Sequence, residues 1–203
     1  MERPRLAARH DFDSLSTASR IEVRPAALAE IPDIAVMART MVPGVHISEQ
    51  ALLQHYLHDD ECILMFVQQG RLLGGMAFLY LSERGLDALM SGALTPSHPD
   101  FDLLAGRDEQ VAAIYIWAIG AVGRGIAGLG KMSASLRRPR YLDANCYAQP
   151  STAAGRELMI ATGFRPIASS QPDLWCYDRP WKRLPAALTA SGFSAGSVSD
   201  ARY

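Results

Sequence analysis

Gly123-Arg124-Gly125-Ile126-Ala127-Gly128 follows a long apolar run and leads toward a helical stretch. Glycines at this spacing let successive backbone N–H groups converge on a phosphate, because no Cβ stands in the way and a helix N-terminus favours negative charge. The string fits G-x-G-x-x-G. Asp143, about 20 residues after Gly123, sits near the end of the next strand, where a dinucleotide site keeps a ribose-binding carboxylate. The same glycines would serve a tight strand-to-helix turn equally well. Other reactive side chains are scattered. Cys62, Cys146 and Cys176 are spaced too widely for a zinc motif and are too few for a disulfide framework, so no metal site is expected.

The elements that must position this turn are legible from periodicity. Ile21–Arg24 alternates apolar and polar and stops at Pro25, as a short strand does. Leu28, Ile31, Ile34, Ala35, Met37, Ala38 and Met41 form one helical stripe that should end at Pro43-Gly44, and Glu49–His58 reads as a second helix. Cys62–Val67 and Leu72–Leu81 flank Gln68-Gln69-Gly70-Arg71, the pattern of a β-hairpin. The long stretch from about Ser82 to Glu109 is expected to be irregular, with a short helix over Leu86–Met90. Val111–Ile119, the most apolar run, predicts a central strand. A basic helix should run from the glycine turn to near Arg138, followed by a strand over Arg140–Ala144. Ser151 or Thr152 caps a helix that ends at Gly163, and two strands are expected near Arg165–Ser169 and Leu174–Asp178. A doubly wound sheet needs several successive βαβ units. Here one crossover follows a hairpin, which argues against a nicotinamide-dependent oxidoreductase.

The chain has 203 residues and a net charge of −1, with 49% hydrophobic and 20% charged residues. That supports one full-sized core, and balanced charge gives no basis for attraction to nucleic acid or an anionic membrane. With no apolar run long enough to span a bilayer and no signal-like N-terminus, the expectation is a soluble, cytoplasmic protein. Residues 1–20 and 184–203 read as disordered tails around a domain at 21–183, because their compositions offer little apolar surface to bury.

The order of these segments resembles the Gcn5-related N-acetyltransferase (GNAT) superfamily over about residues 21–180. Ile21-Glu22-Val23-Arg24-Pro25-Ala26 is similar to its opening strand, with Ile31-Pro32-Asp33-Ile34 in the following helix. Gln69-Gly70-Arg71-Leu72-Leu73-Gly74-Gly75 is similar to its hairpin, and Ala161-Thr162-Gly163-Phe164-Arg165 to the Gly-Phe pair closing its last helix. Its acyl-CoA loop, Gln/Arg-x-x-Gly-x-Gly/Ala, aligns Gly125 and Ala127 with the last two fixed positions, and Val122 stands where Gln or Arg is usual. The resemblance implies an α/β (α+β) fold: a mixed, mostly antiparallel sheet split between strands 4 and 5, with helices on both faces. It implies acetyl-CoA or another acyl-CoA as co-substrate, lying in that split. The pantetheine would run along Trp117, Ala118 and Ile119, and the pyrophosphate would meet Val122, Gly123, Arg124, Gly125, Ile126, Ala127 and Gly128. Arg124 or Lys131 would pair with the remaining phosphates, and Asn145 is also counted among the cofactor-binding residues. Lys131, Arg137, Arg138 and Arg140 would equally suit a solvated helix end.

Acyl transfer to an amine needs a neutral nucleophile, a polarised carbonyl and a proton for the leaving thiolate. In many members of the superfamily a Tyr five residues before the Phe of Gly-Phe supplies that proton; here the position is Met159. Tyr147 and Cys146, just after the fifth strand, are the candidate catalytic replacements, with buried packing as the alternative for both. The central strand carries no carboxylate, and its one ionisable group, Tyr115, is too weak a base. Glu83, Asp87, His98, Asp100 and Asp102 in the insertion are further polar candidates. The expected acceptor is a small-molecule amine or a protein amino group. A homodimer is compatible with such a fold, and non-catalytic acyl-CoA binding is the alternative function.

Overall fold

The structure, a computed structural model, describes residues 21–42 and 47–179. The expected tails at 1–20 and 184–203 and the Pro43-Gly44 helix stop lie outside the described residues. Seven strands form one sheet in the order β1-β2-β3-β4-β5-β7-β6. They are β1 (Glu22–Pro25), β2 (Ile63–Gln68), β3 (Arg71–Leu81), β4 (Ala113–Ala121), β5 (Asn145–Ala148), β6 (Arg165–Pro166) and β7 (Trp175–Tyr177). Every pairing is antiparallel except β4 with β5. With a single parallel pair, the doubly wound sheet that a dinucleotide site requires is absent from the described residues.

Local chemistry explains most of these elements. Gln69 (φ 51°) and Gly70 (φ 74°) both take left-handed backbone, as a two-residue hairpin turn between twisted strands demands. Helix α1 (Ile31–Met41) carries a proline in its first turn and buries Ile31, Ile34 and Ala35. In α2 (Glu49–His58) the Ser48 hydroxyl accepts from the Ala51 N–H, and Ala51, Leu52 and His55 are buried. The strand-to-strand insertion is more ordered than its composition suggests. Helix α3 (Glu83–Ser91) is capped by Ser82 at one end and by left-handed Gly92 at the other, and is longer than the expected 86–90. Leu89, Leu94 and Leu104 pack with Leu79, Leu81, Ala113 and Tyr115 into a second apolar cluster. That burial converts a nominal loop into a layer on the sheet.

Two boundaries differ from expectation. Helix α4 (Gly128–Ser135) stops short of Arg138, and β5 starts at Asn145 rather than Arg140. Pro139–Tyr141 forms a 3-10 turn, because Arg138 and Arg140 turn aside to meet Glu61 and Asp59 while Tyr141 becomes fully buried between them. Helix α5 (Ala153–Thr162) takes Thr152 as its cap and ends at left-handed Gly163, where the Phe164 N–H reaches back to the Met159 carbonyl. The last two strands are shorter than expected, since the chain from Ile167 to Leu174 forms a turn-rich loop between them.

Candidate functional site at the β4–β5 opening

Strand β4 pairs with β5 only over Ala113–Ile116, opposite Asn145–Ala148, and then runs on to Ala121 without it. At the parting point β4 carries one extra residue. Ala77 of β3 faces Ala118 and Phe78 faces Ile116, which leaves Trp117 unmatched in a bulge. A bulge turns backbone groups out of the ladder and sharpens the local twist. The stretch Trp117, Ala118 and Ile119 therefore lies where β4 presents an edge unpaired by β5, with Trp117 and Ile119 half-buried.

The glycine turn closes the far end of this edge. A 3-10 segment, Gly123–Ala127, runs directly into α4, and the N–H groups of Gly123 and Arg124 come before the first intrahelical bonds. The glycines have separate roles. Gly123 is left-handed (φ +53°) and faces open space. A Cβ on Gly125 would stand 2.9 Å from the Leu73 carbonyl oxygen, and one on Gly128 would stand 2.7 Å from the Phe66 ring. The latter two let the turn lie flat on the sheet. Val122, Arg124, Ile126 and Ala127 are exposed on its outer side.

The basic residues do not all gather here. The Lys131 ammonium donates to the Ile21 carbonyl, Arg138 pairs with Glu61, and Arg140 pairs with Asp59 at 2.7 Å. Arg124 is the cation carried on the turn itself. Asn145 lies at the closed end of the parallel pair, its amide engaged by Asp178 (3.4 Å) and by the Arg179 N–H (3.3 Å).

Cys146 and Tyr147 lie inside β5 and not after it, so they point to opposite faces of the sheet. Cys146 belongs to the main core and Tyr147 to the second cluster. Burial pushes the Cys146 thiol up to about 11 and the Tyr147 phenol up to about 12. Met159 is buried in the main core. Tyr115 donates to Gln149 Oε1 at 2.7 Å, and burial raises its pKa to about 12. Gln149 is itself fixed, accepting from Gln171 Nε2 at 2.9 Å and donating to the Pro172 carbonyl at 2.6 Å. In the insertion, Glu83, Asp87, His98, Asp100 and Asp102 are exposed, and Asp100 caps the 3-10 turn Phe101–Leu103.

The residue that sequence reasoning missed is His55. Its imidazole stacks on Trp117 (centroids 5.8 Å apart, 25° between planes) and meets the edge of Phe101 at 6.2 Å. It is only 3% exposed, and neither ring nitrogen has a hydrogen-bond partner. Burial lowers its pKa to about 4; the Pro96 carbonyl opposes the shift, and His58 and His98 add to it. The available signal was a histidine on the apolar stripe of α2, in step with Ala51 and Leu52.

A separate cavity of about 250 Å³ lies between the β1–β2 edge and the end of α4, bounded by Val23, Leu64, Leu136 and Tyr80. Its polar groups answer one another. Arg24 chelates Glu30, Arg138 and Tyr141 hold Glu61, and the Tyr80 hydroxyl donates to the Glu61 carbonyl. No helix among the described residues is long and apolar enough to cross a membrane.

No family model matches the sequence, and no curated protein matches it. Solved structures do match the fold. The loading GNATL domain of CurA from Lyngbya majuscula superposes with a TM-score of 0.58 at 9% identity, covering 79% of this chain and 98% of that one. The PaiA N-acetyltransferase from Thermoplasma acidophilum, solved with coenzyme A, gives 0.51 at 10% identity over 79% and 99%. N-acetylglutamate synthase from Neisseria gonorrhoeae, solved with coenzyme A and N-acetylglutamate, gives 0.51 at 16% identity over 79% of this chain and 35% of that one.

Proposed function

We propose that this chain, which has the GNAT fold, transfers an acyl group from acyl-CoA to an amine. The observation that carries the reading is the opening of the β4–β5 pair after Ile116 and Ala148, with the bulged Trp117 at its apex and the glycine turn at its mouth. An extended chain bearing amides can satisfy the backbone groups of β4 that β5 leaves unpaired, in the manner of an added strand. The diphosphate would meet the N–H groups at Gly123 and Arg124, and the Arg124 side chain would add charge. The bulge supplies a backbone donor outside the ladder, suited to polarising a thioester carbonyl. Acetyl as the acyl group and a nitrogen acceptor are the finer parts of the proposal, supported by the sequence resemblance.

A second reading is acyl-CoA binding without turnover. Met159 favours it, since a buried thioether stands where the resemblance expects a proton donor. Calorimetry with acetyl-CoA, followed by thiol release with a panel of amines, separates the two. Release above the hydrolysis background supports transfer, and binding without release on any amine supports the second reading. Absence of acetyl-CoA binding overturns both.

A further inference from the structure

We propose that the apolar cleft beneath α1 is the acyl-chain pocket of this site and limits the acyl group to acetyl and propionyl. The inference rests on the acyltransferase reading and names the class of acyl donor that the opening accepts. The cleft lies between α1 and the sheet, with a free volume of about 30 Å³. Ala118, Ile119 and Gly120 line one side of it, and these belong to the stretch of β4 that β5 leaves unpaired. The strand register carries the floor inward from there. Ala118 faces Ala77, Gly120 faces Gly75, and Gly75 in turn faces Met65 on β2. Met37 and Met41 of α1 close the cleft from above.

The lining selects the occupant. Every side chain in it is aliphatic or a thioether, so nothing there can pair with an ammonium, a phosphate or a carboxylate. An amine acceptor, or a charged part of coenzyme A, would lose its water in this cleft and gain no partner. An acyl chain bears no such cost and gains by leaving water. Gly120 points the same way. Its φ lies outside the left-handed region, so the backbone does not demand glycine. The nearest atoms to a Cβ there are all side-chain atoms of the α1 end: Met41 Cβ at 3.1 Å, Met41 Cε at 3.4 Å and Val42 Cγ2 at 3.4 Å. Gly75, opposite it, differs, because a Cβ would stand 2.9 Å from the Leu64 carbonyl oxygen and strand packing alone requires that glycine. A glycine inside a strand weakens it and marks a place of close approach; at Gly120 the space left bare belongs to the cleft. Its volume holds about two water-sized groups, the size of the ethyl group of a propionyl chain. A longer chain must displace Met37 and Met41, whose flexible, half-buried side chains set the limit.

The test measures kcat/KM of the full chain for acetyl-CoA, propionyl-CoA and hexanoyl-CoA, with whichever amine gives thiol release. Each value is read as a ratio to acetyl-CoA on the same preparation, which cancels any difference in the fraction folded. In wild type, propionyl-CoA should lie within about tenfold of acetyl-CoA, and hexanoyl-CoA about 100-fold or more below it. One methylene in an apolar pocket is worth about 10- to 200-fold. Gly120→Ala should therefore lower the propionyl ratio about tenfold, and Met41→Ala should raise the hexanoyl ratio about tenfold or more. Wild type that rejects propionyl-CoA, or that uses hexanoyl-CoA within about tenfold of acetyl-CoA, overturns the proposal. So do variants whose ratios stay within about threefold of wild type. Should Gly120→Ala not fold, Ala118→Val is read by the same criteria. If acyl-CoA binds without thiol release, the same ratios are read from dissociation constants. Wild type that binds no acetyl-CoA instead defeats the acyltransferase reading before any variant is made, and this inference falls with it.

Discussion

Replacing His55 by Leu should remove a pH dependence of folding whose size follows from the site. The folded imidazole titrates at about 4, against 6.5 for an unperturbed ring, and desolvation is the main cause. Below about pH 6.5 the unfolded chain takes up a proton that the folded chain refuses until about pH 4. The stability that the neutral ring preserves is therefore fully present above pH 6.5 and is lost as pH falls through the window. A shift of this size corresponds to about 3 kcal/mol, and the near-complete burial of His55 calls for no discount for solvent screening. Glu30 is held at about 2 by Arg24 and by the Ala27 N–H, so its contribution is lost between its unfolded value of about 4.5 and about 2, mostly below this window. The assay is urea denaturation of wild type and His55→Leu between about pH 7 and pH 4 at fixed ionic strength. The variant should match or exceed wild type at pH 7, because it buries no unpartnered nitrogen, and should gain on it by about 3 kcal/mol at the acid end. Parallel curves, agreeing within about 0.5 kcal/mol across the range, would refute the reasoning and show that His55 meets water or a partner in solution.

Arg124→Glu reverses the exposed charge on the glycine turn without touching the core, so acetyl-CoA affinity should fall about tenfold, more at low salt, with Tm unchanged. Calorimetry at two ionic strengths checks it. Gly128→Ala drives a methyl into the Phe66 ring and should cost about 1–3 kcal/mol in denaturant unfolding while weakening acetyl-CoA binding, because the turn lifts from the sheet. Asp59→Ala strips the partner from Arg140, whose guanidinium also holds the Gly106 carbonyl at 2.9 Å. The Asp59 side chain is only 4% exposed, so breaking the pair should cost about 3 kcal/mol and lower Tm by about 6–12 °C in a scan.

What the sequence disclosed follows the range of the interactions involved. The hairpin at Gln69-Gly70, the cap at Thr152 and the left-handed stop at Gly163 are set within a few residues, and residue type placed them. The apolar run of β4 was legible because a continuous apolar run fits a strand covered on both faces, as Ala113–Ile116 are. The start of β5 was not, since Arg138 and Arg140 leave the expected helix and strand for Glu61 and Asp59, carboxylates 77 and 81 positions earlier. The basic cluster after the turn therefore looked like a phosphate site in sequence, but in space two of its members, Arg138 and Arg140, neutralise internal carboxylates. The glycine spacing was equally double-edged. Gly125 and Gly128 are required by the sheet beneath them, so the motif alone could not separate packing from phosphate binding.

The family resemblance directed attention to α5 and β5, where Met159, Cys146 and Tyr147 turn out to be packed. The titratable group packed against the parting point comes instead from α2, where His55 stacks on Trp117, and two long-range facts place it there. One is the extra residue in β4, which exists only relative to the register of β3. The other is the insertion, whose Phe101 and Pro96 close over the ring. A histidine on the apolar stripe of a helix is locally a defect, and its cost persists unless the surrounding structure employs it. The His55→Leu comparison in urea reads that cost directly, as stability that the variant keeps in acid and wild type loses.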